Sequence, residues 1–171
     1  MTSYVALLRA VNVGGTGKLA MSDLKAICEA AGFKNVRTFI ASGNVVFESG
    51  RSEKDVKRML EKRLLEHAGK AVGVVVRTAA EMAGVLASNP FPDAPGNRTV
   101  AIFLDAVVPA NALDVISGRV DEETALGLRE IYVRYGEDMG HSKLKIPAAK
   151  TGTARNMNTV AKLAARAGVR E

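Results

Sequence analysis

Two strands and the turn between them lie in the stretch Val36-Arg-Thr-Phe-Ile-Ala-Ser-Gly-Asn-Val-Val-Phe47. β-Branched and aromatic residues occupy both halves of this stretch, which favours extended structure. The short polar sequence Ser42-Gly43-Asn44 between them is typical of a tight hairpin turn. The sequence therefore predicts antiparallel strands over residues 36–41 and 45–48, joined without a crossover.

Strands and helices alternate on both sides of this hairpin. The apolar run over residues 4–11 predicts a buried strand, and residues 22–31 have helical apolar spacing with Ser22 as the expected N-cap. Ser52 opens an amphipathic helix that Gly69 ends, and residues 72–77 predict another strand. The order β-α-β-β-α-β is that of the ferredoxin-like unit, so we predict an α+β fold with a ferredoxin-like subdomain over residues 1–78.

The second half, residues 79–171, is predicted to form a second, smaller α+β subdomain that packs with the first into one compact unit. Its expected elements are a helix opened by the capping box of Thr78 and Glu81, strands over 99–104 and 128–135, a short helix over 110–116, and a last helix over 156–168. The acidic cluster Asp121-Glu122-Glu123 is interpreted as a solvated turn.

The composition is that of an ordinary globular domain, because 47% of the 171 residues are hydrophobic and 25% are charged. A chain of this length buries enough surface to fold without a metal or a disulfide. The single cysteine, Cys28, lies on the apolar face of its predicted helix and is interpreted as a core residue. It excludes an internal disulfide and is compatible with a reducing cytoplasm. No basic region precedes the first apolar run, so we expect no secretory signal, a cytoplasmic location and no membrane partner.

The positive charge of the chain lies at its C-terminal end. The net charge is +6, and residues 141–171 carry seven Lys or Arg residues against one acid, Glu171, so this segment accounts for the whole excess. A sequence pI near 9.6 favours anionic partners such as nucleic acid or a phosphorylated metabolite. The alternative is that so modest a charge reflects solubility alone.

A polar segment within this basic region is the main candidate for a ligand site. A helix entry rich in hydroxyl, amide and cationic groups is a common way to hold an anion, because its backbone N–H groups are free. The candidate residues are Lys150, Thr153, Arg155, Asn156, Asn158 and Thr159. The alternative is an ordinary N-cap followed by a solvated basic helix face formed by Lys162, Arg166 and Arg170.

A second candidate lies in the Gly-rich stretch from Asn12 to Leu19. It lacks the glycine spacing and the hydroxyl of a Walker loop, which excludes a nucleoside-triphosphatase loop. Its N–H groups, with Arg9, Asn12 and Lys18, would suit an anion. The alternative is a flexible connection.

Metal and nucleophile chemistry have few candidate residues. The two histidines, His67 and His141, lie far apart in sequence from each other and from Cys28, so we expect no metal site and no cofactor. His141, beside Ser142, is a weaker candidate for a phosphate contact or a base. Tyr132 and Tyr135, which flank Arg134, weakly favour a base-stacking surface on the second sheet. No catalytic apparatus is recognisable, which leaves open whether the protein is an enzyme.

Three segments together resemble one protein family. They are Tyr4-x-x-Leu-Leu-Arg-Ala-Val-Asn-Val-Gly-Gly15, the hairpin stretch from Val36 to Phe47, and Thr153-Ala-Arg-Asn-Met-Asn-Thr159. The chain resembles the uncharacterised bacterial family catalogued as domain of unknown function 1697, and Asn89-Pro-Phe91 is similar as well. The resemblance implies a compact α+β protein of two subdomains and implies no activity.

The resemblance also selects polar positions for a site. It adds Ser42 and Asn44 to the candidates Arg9, Asn12, Arg155, Asn156, Asn158 and Thr159. The chain departs from the family pattern at Ala10, Ala154 and Met157, which stand where the family usually has Gly, Thr and Trp. If that Trp packs on a ligand, Met157 is a softer substitute.

Three functions are compatible with these features. The first is a binding domain for an anionic, phosphate-bearing ligand, with nucleic acid as the first hypothesis. The second is a small enzyme acting on a phosphorylated or carboxylated metabolite, for which Arg9, Asn44 and Arg155 are expected to converge. The third is a protein–protein adaptor, for which an exposed apolar patch is expected beside the loop from Pro90 to Pro95. The sequence leaves the oligomeric state open.

Overall fold

The computed structural model describes residues 1–9, 19–39 and 43–168 and divides the chain into two compact units. The first unit consists of Met1–Met82 together with Leu163–Glu171, and the second of Ala83–Lys162. Each unit contains a four-stranded antiparallel sheet. The protein is therefore an α+β protein with two sheets.

The first unit contains every strand and helix that the sequence predicts for it. The elements are β1 (Thr2–Leu8), α1 (Met21–Ala30), β2 (Lys34–Phe39), β3 (Asn44–Ser49), α2 (Glu53–Ala68) and β4 (Val74–Thr78). The strand order is β2-β3-β1-β4, with every neighbouring pair antiparallel. The Gly-rich stretch from Asn12 to Lys18 and the turn residue Ser42 lie outside the described residues.

Both faces of β1, which pairs with β3 on one side and β4 on the other, are buried. On one face, Tyr4, Ala6 and Leu8 of β1 belong to the hydrophobic core that α1 and α2 complete. On the other face, Val5 and Leu7 are completely buried. The alternation follows from the two-residue period of a strand, and it leaves neither face of β1 open to solvent.

The helix ends of the first unit follow local sequence signals. The Ser52 hydroxyl accepts the N–H of Asp55 at 3.2 Å, and Gly69 ends α2 in the left-handed region with φ 72°. Thr78 and Glu81 cap one another reciprocally at 2.9 and 3.1 Å. The predicted N-cap of α1 is wrong, because that helix begins at Met21, and Ser22 lies inside it.

The second unit has a less regular order of elements. They are α3 (Ala79–Ala87), which begins in the first unit, β5 (Thr99–Phe103), β6 (Glu123–Leu126), β7 (Glu130–Arg134), β8 (Thr153–Asn156) and α4 (Met157–Gly168), which ends in the first unit. The strand order is β6-β7-β5-β8. Val100, Ile102, Ile131 and Val133 form one buried face, against which irregular segments pack through residues such as Val108 and Ile146.

Three expectations for the second unit are wrong. Residues 110–116 form successive turns, with Ala112 N–H bonded to Pro109 O and Asp114 N–H to Asn111 O, each three residues back. The short strands β6 and β8 have no counterpart in the sequence prediction. The acidic cluster is not a solvated turn, because Glu122 is buried and Glu123 begins β6.

Two glycine substitutions should change stability in opposite directions. Gly69→Ala is expected to lower the free energy of unfolding by about 1–2 kcal/mol, because a Cβ is strained in the left-handed region. Gly84→Ala, the control inside α3, is expected to raise it by about 0.5–1 kcal/mol, because an added Cβ meets no atom within 4 Å. Urea unfolding measures both, and equal signs would contradict these assignments.

Candidate functional site

A cavity of about 470 Å³ lies in the second unit between two irregular segments. One segment, residues 118–122, precedes β6, and the other, residues 135–143, follows β7. The two segments meet because β6 and β7 are paired, with Glu123 opposite Arg134. The cavity therefore lies at the open end of a hairpin, and its volume is in the range of small-molecule sites.

Glu122 joins the two segments through its carboxylate. Its Oε1 accepts the N–H groups of Val120 at 2.7 Å and Asp121 at 3.0 Å, and its Oε2 accepts the hydroxyl of Ser142. The hydrogen bond from Ser142, followed by the one from the Val120 N–H, lowers the pKa of Glu122 to about 2. The carboxylate is therefore charged near neutral pH, and only 2% of the residue is exposed.

Two glycines allow the segments to approach closely. A Cβ on Gly118, whose φ is 72°, would overlap the backbone carbonyl of Lys143, and one on Gly136 would overlap the carboxylate of Asp121. Ser117 and Lys145 exchange backbone hydrogen bonds at 3.1 and 2.8 Å beside the first of these contacts. The cavity is thus held at two ends by contacts that a larger residue would break.

Charged residues of both signs line the cavity, and the contacts of Gly118 and Gly136 mark its two ends. Lys143 of the second segment lies against Gly118 of the first, and Arg119 follows Gly118 along the chain. The Nε of Arg119 donates to the Glu122 carbonyl at 2.7 Å. Asp121 lies at the other contact, against Gly136. We call these the basic end and the acidic end of the cavity.

The rest of the lining includes an aromatic ring, a thioether and a histidine–aspartate hydrogen-bonded pair. Tyr135 is half-buried, and its pKa is raised by burial and by the nearby Glu122 carboxylate. The exposed His141 Nδ1 lies 2.6 Å from Asp138 Oδ1. With Met139, these groups give the cavity a wall of both apolar and polar side chains.

The predicted polar segment of the C-terminal region is divided between buried and exposed positions. Thr153 and Arg155 are buried in β8, where Arg155 Nη1 donates to Thr153 Oγ1 at 2.8 Å and to the Ala154 carbonyl at 2.9 Å. Burial lowers the pKa of Arg155 to about 10. Asn156 caps α4 by accepting the Thr159 N–H at 2.9 Å, whereas Lys150 and Asn158 are exposed. These residues therefore form no single open surface.

The predicted site residues of the first unit lie at one end of its sheet. Arg9 follows β1, and its N–H donates to the Gly73 carbonyl at 2.8 Å. Asn44 is buried at the start of β3, where its Nδ2 donates to the Phe39 carbonyl at 3.0 Å and holds the two strands of the hairpin together. Asn12, Lys18 and Ser42 lie outside the described residues, and the convergence of Arg9, Asn44 and Arg155 on one ligand stays a prediction.

Sequence reasoning missed Arg119, Glu122 and Lys143 as a group. Lys143 was counted only as part of the basic segment, and Glu122 only as part of an acidic turn. The available signal was the pair of glycines at positions 118 and 136, which bracket the two short strands. The two glycines indicate a site only in combination with the pairing of β6 with β7, which no local sequence pattern encodes.

Several chemical features expected from the sequence can be compared with the described residues. Cys28 is buried as predicted, and burial raises the pKa of its thiol to about 12. Within residues 1–9, 19–39 and 43–168, no three His, Cys, Asp or Glu side chains are grouped as metal ligands would be. None of the helices described is both long enough and apolar enough to cross a bilayer.

Comparison with known proteins identifies the family. The model of the family described as protein of unknown function (DUF1697) matches residues 1–132, so the chain belongs to that family. The matched range ends before β8 and before the segment from Thr153 to Thr159. No protein with a curated description matches the chain.

A solved structure has the same fold. It is that of the conserved bacterial protein SP0830 from Streptococcus pneumoniae, which is 22% identical over 97% of this chain and 98% of that one, with a TM-score of 0.80. At that identity the similarity concerns the fold alone.

Replacing Gly136 should disturb the acidic end of the cavity. Gly136→Ala is expected to lower the free energy of unfolding by about 0.5–1 kcal/mol, because the Asp121 carboxylate must rotate away into solvent to admit the methyl group. Gly140→Ala in the same segment is the matched control, since its Cβ meets no atom within 4 Å. Thermal unfolding measures both, and an equal effect of the two would contradict the close approach of Asp121 to Gly136.

Glu122 should make stability depend on pH at the acid end of the range. Its folded-state pKa lies below the ordinary value of 4.5, so its stabilising contribution is present above pH 4.5 and is lost as the pH falls towards 2. Glu122→Gln is therefore expected to be less stable than the wild type at pH 7, with the difference shrinking below pH 4.5. Urea unfolding from pH 7 to pH 2.5 measures it, and a constant difference would contradict the assignment.

Proposed function

We propose that this member of the DUF1697 family binds a small phosphate-bearing ligand in the cavity of its second unit, with the phosphate at the basic end. The observation that carries the proposal is a ligand-sized cavity whose lining includes Arg119 and Lys143, with the backbone of Lys143 against Gly118, the residue before Arg119. The buried carboxylate beside them, Glu122, already accepts three hydrogen bonds. These donors stabilise its negative charge without a cation, so neither Arg119 nor Lys143 is needed to neutralise it.

The guanidinium of Arg119 is suited to a phosphate. Its Nε is bound to the Glu122 carbonyl, which orients the side chain, and neither Nη has a partner in the part of the chain that the structure describes. Two parallel N–H groups match two oxygens of a phosphate, and such charge-assisted pairs are about twice as strong as neutral hydrogen bonds. Lys143 adds a second, mobile positive charge.

The acidic end supports a ligand of mixed character. Asp121 and Asp138 would accept hydrogen bonds from hydroxyl or amino groups, and Tyr135 and Met139 offer an apolar wall. Arg119 and Lys143 are opposed by Asp121 and Asp138, so a chain of phosphates would meet repulsion along the cavity. A phosphorylated sugar or amine, with one anionic end and one hydrogen-bonding end, fits this charge pattern.

Nucleic acid is the second candidate ligand, and the fold of the first unit is the reason to consider it. We interpret its β-α-β-β-α-β order and β2-β3-β1-β4 sheet as ferredoxin-like. Proteins that bind RNA on a four-stranded sheet stack bases on exposed aromatic residues of one face. Both faces of β1 are buried here, and Tyr132 is buried with its hydroxyl donating to the Val85 carbonyl at 3.1 Å. The candidate stacking surface of Tyr132 and Tyr135 is therefore wrong for Tyr132.

Catalysis has less support than binding. Asp138 and His141 form the pairing seen between a general base and its orienting acid, but both side chains are exposed. The nearest hydroxyl along the chain, that of Ser142, donates to Glu122 and is not bonded to the histidine. We therefore propose binding, with no chemical step assigned to these residues.

Thermal shift and calorimetry test the proposal. A panel of phosphorylated sugars, phosphorylated amines and short RNA should contain a phosphorylated small molecule that raises the melting temperature by roughly 5–10 °C at 100 times its dissociation constant. Arg119→Ala and Lys143→Ala should each weaken that ligand by about ten-fold, as expected for the loss of one charge-assisted contact. Lys25→Ala on α1 is the matched surface control and should change nothing.

Two results would overturn the proposal. One is a ligand whose affinity is the same in Arg119→Ala and in the wild type. The other is stabilisation by RNA alone, with an affinity that falls steeply with salt, which would favour the exposed basic residues of the C-terminal region instead.

A further inference from the structure

We infer that the free edge of β6 is a docking surface for a second copy of this chain, so that two β6 strands pair antiparallel and join the sheets of two second units. This inference is independent of the proposed ligand. It starts from the strand order β6-β7-β5-β8, in which β6 has a strand on one side only.

The hairpin register shows which backbone groups of β6 point away from β7. The Gly127 N–H donates to the Glu130 carbonyl at 2.7 Å, so this pair is hydrogen-bonded. Antiparallel pairs alternate between bonded and non-bonded, which makes Ala125–Tyr132 bonded and leaves Thr124 and Leu126 in non-bonded pairs. The N–H and C=O groups of Thr124 and Leu126 therefore point outward.

In the first unit, side chains bind the outward backbone groups of the edge strand β4 at one position. The Arg9 N–H bonds to Gly73, which puts the neighbouring Val74 in a non-bonded pair with Leu8. The outward N–H of Val74 donates to Glu61 Oε2 at 3.1 Å, and its carbonyl accepts from Lys57 Nζ at 2.9 Å. No side chain of the described residues does the same for Thr124 or Leu126. The β6 edge is open, whereas this position of β4 is occupied.

The β6 sequence is compatible with pairing to itself. With Ala125 opposite Ala125 of the second copy, each Thr124 faces a Leu126, and each such pair would exchange two backbone hydrogen bonds. The small Ala125 side chains meet at the closest approach of the two strands. Glu123 would face Gly127 rather than another acid, and it keeps its ion pair with Arg134 at 2.8 Å. This register opposes no like charges, which favours a second copy over an unrelated strand.

Exposed apolar side chains flank the same edge. Val120, which precedes β6, is 88% exposed, and Leu128, which follows β6, is 71% exposed. Val107 is also exposed, and the bond from the Val108 N–H to the Leu128 carbonyl at 2.9 Å places it beside Leu128. Extending the register brings Leu128 of one copy towards the segment that holds Val120 of the other. The pairing would cover apolar surface at both ends of the strand.

Sedimentation velocity of the full chain tests the inference. Because a contact of one short strand buries little area, we expect a weak dimer, with the sedimentation coefficient rising between about 10 µM and about 1 mM. Thr124→Pro removes an N–H that the hairpin does not use, and it should give a monomer at every concentration. Thr124→Val keeps that N–H and is the matched control, which should dimerise as the wild type does.

Hydrogen exchange gives a second readout that does not depend on a variant. The amides of Thr124 and Leu126 should become more protected as the concentration rises, whereas the Ala125 amide, bonded within the hairpin, should be protected throughout. A wild type that stays monomeric to 1 mM overturns the inference. A Thr124→Pro variant that still dimerises overturns it as well. So does amide protection at Thr124 and Leu126 that does not change with protein concentration.

Discussion

The carboxylate of Glu122 holds together the part of the second unit on which both proposals depend. A buried charge must be matched by donors, and here the donors are two backbone N–H groups and a hydroxyl rather than a cation. The N–H donors belong to its own segment and the hydroxyl to the opposite one, so one side chain fixes both sides of the cavity. Because the Glu122 carboxylate needs no cationic partner, the two Nη groups of Arg119, which have no partner among the described residues, are left to meet a ligand.

The basic residues of the C-terminal region lie in several different environments in the folded chain. Arg155 is buried beside Thr153, whereas Arg166 is exposed with its guanidinium 4.5 Å from the centre of the Phe39 ring. Lys143, Lys145 and Lys150 are exposed in the irregular segment before β8. A charge count along the sequence cannot separate these cases, because it contains no information on which side chains face inward. The ligand-binding potential is therefore concentrated in fewer residues than the count indicates.

The first unit was readable from the sequence because its signals are local. The caps at Ser52 and Thr78 and the left-handed residue Gly69 each act within one helical turn, and each is where the sequence predicts it. The second unit depends on pairing between distant segments, such as β5 with β8, which no local pattern encodes. The four-residue strands β6 and β8 are too short to show a period. Of the cavity residues, the sequence offers His141 as a weak candidate for a phosphate contact or a base and Tyr135 as part of a weak stacking surface, and neither pattern indicates a cavity.

Burial on both faces of the inner strand β1 constrains where this protein can bind a ligand or a partner. Ala101 and Phe103 of β5 are also buried on the face opposite Val100 and Ile102, so the second sheet offers no open face along that strand either. What remains for recognition are the ends of strands and the edges of sheets. Arg9 and Asn44 lie at a strand end of the first unit, and the cavity between Asp121 and Tyr135 lies at a strand end of the second. The edge of β6 is a different kind of surface. There the outward backbone N–H and C=O groups would bind a partner strand, whereas an open sheet face would bind through its side chains. The ligand site and the pairing surface overlap at Val120, but the phosphate contacts proposed for Arg119 and Lys143 and the outward backbone groups of Thr124 and Leu126 are different atoms, so one hairpin can carry both.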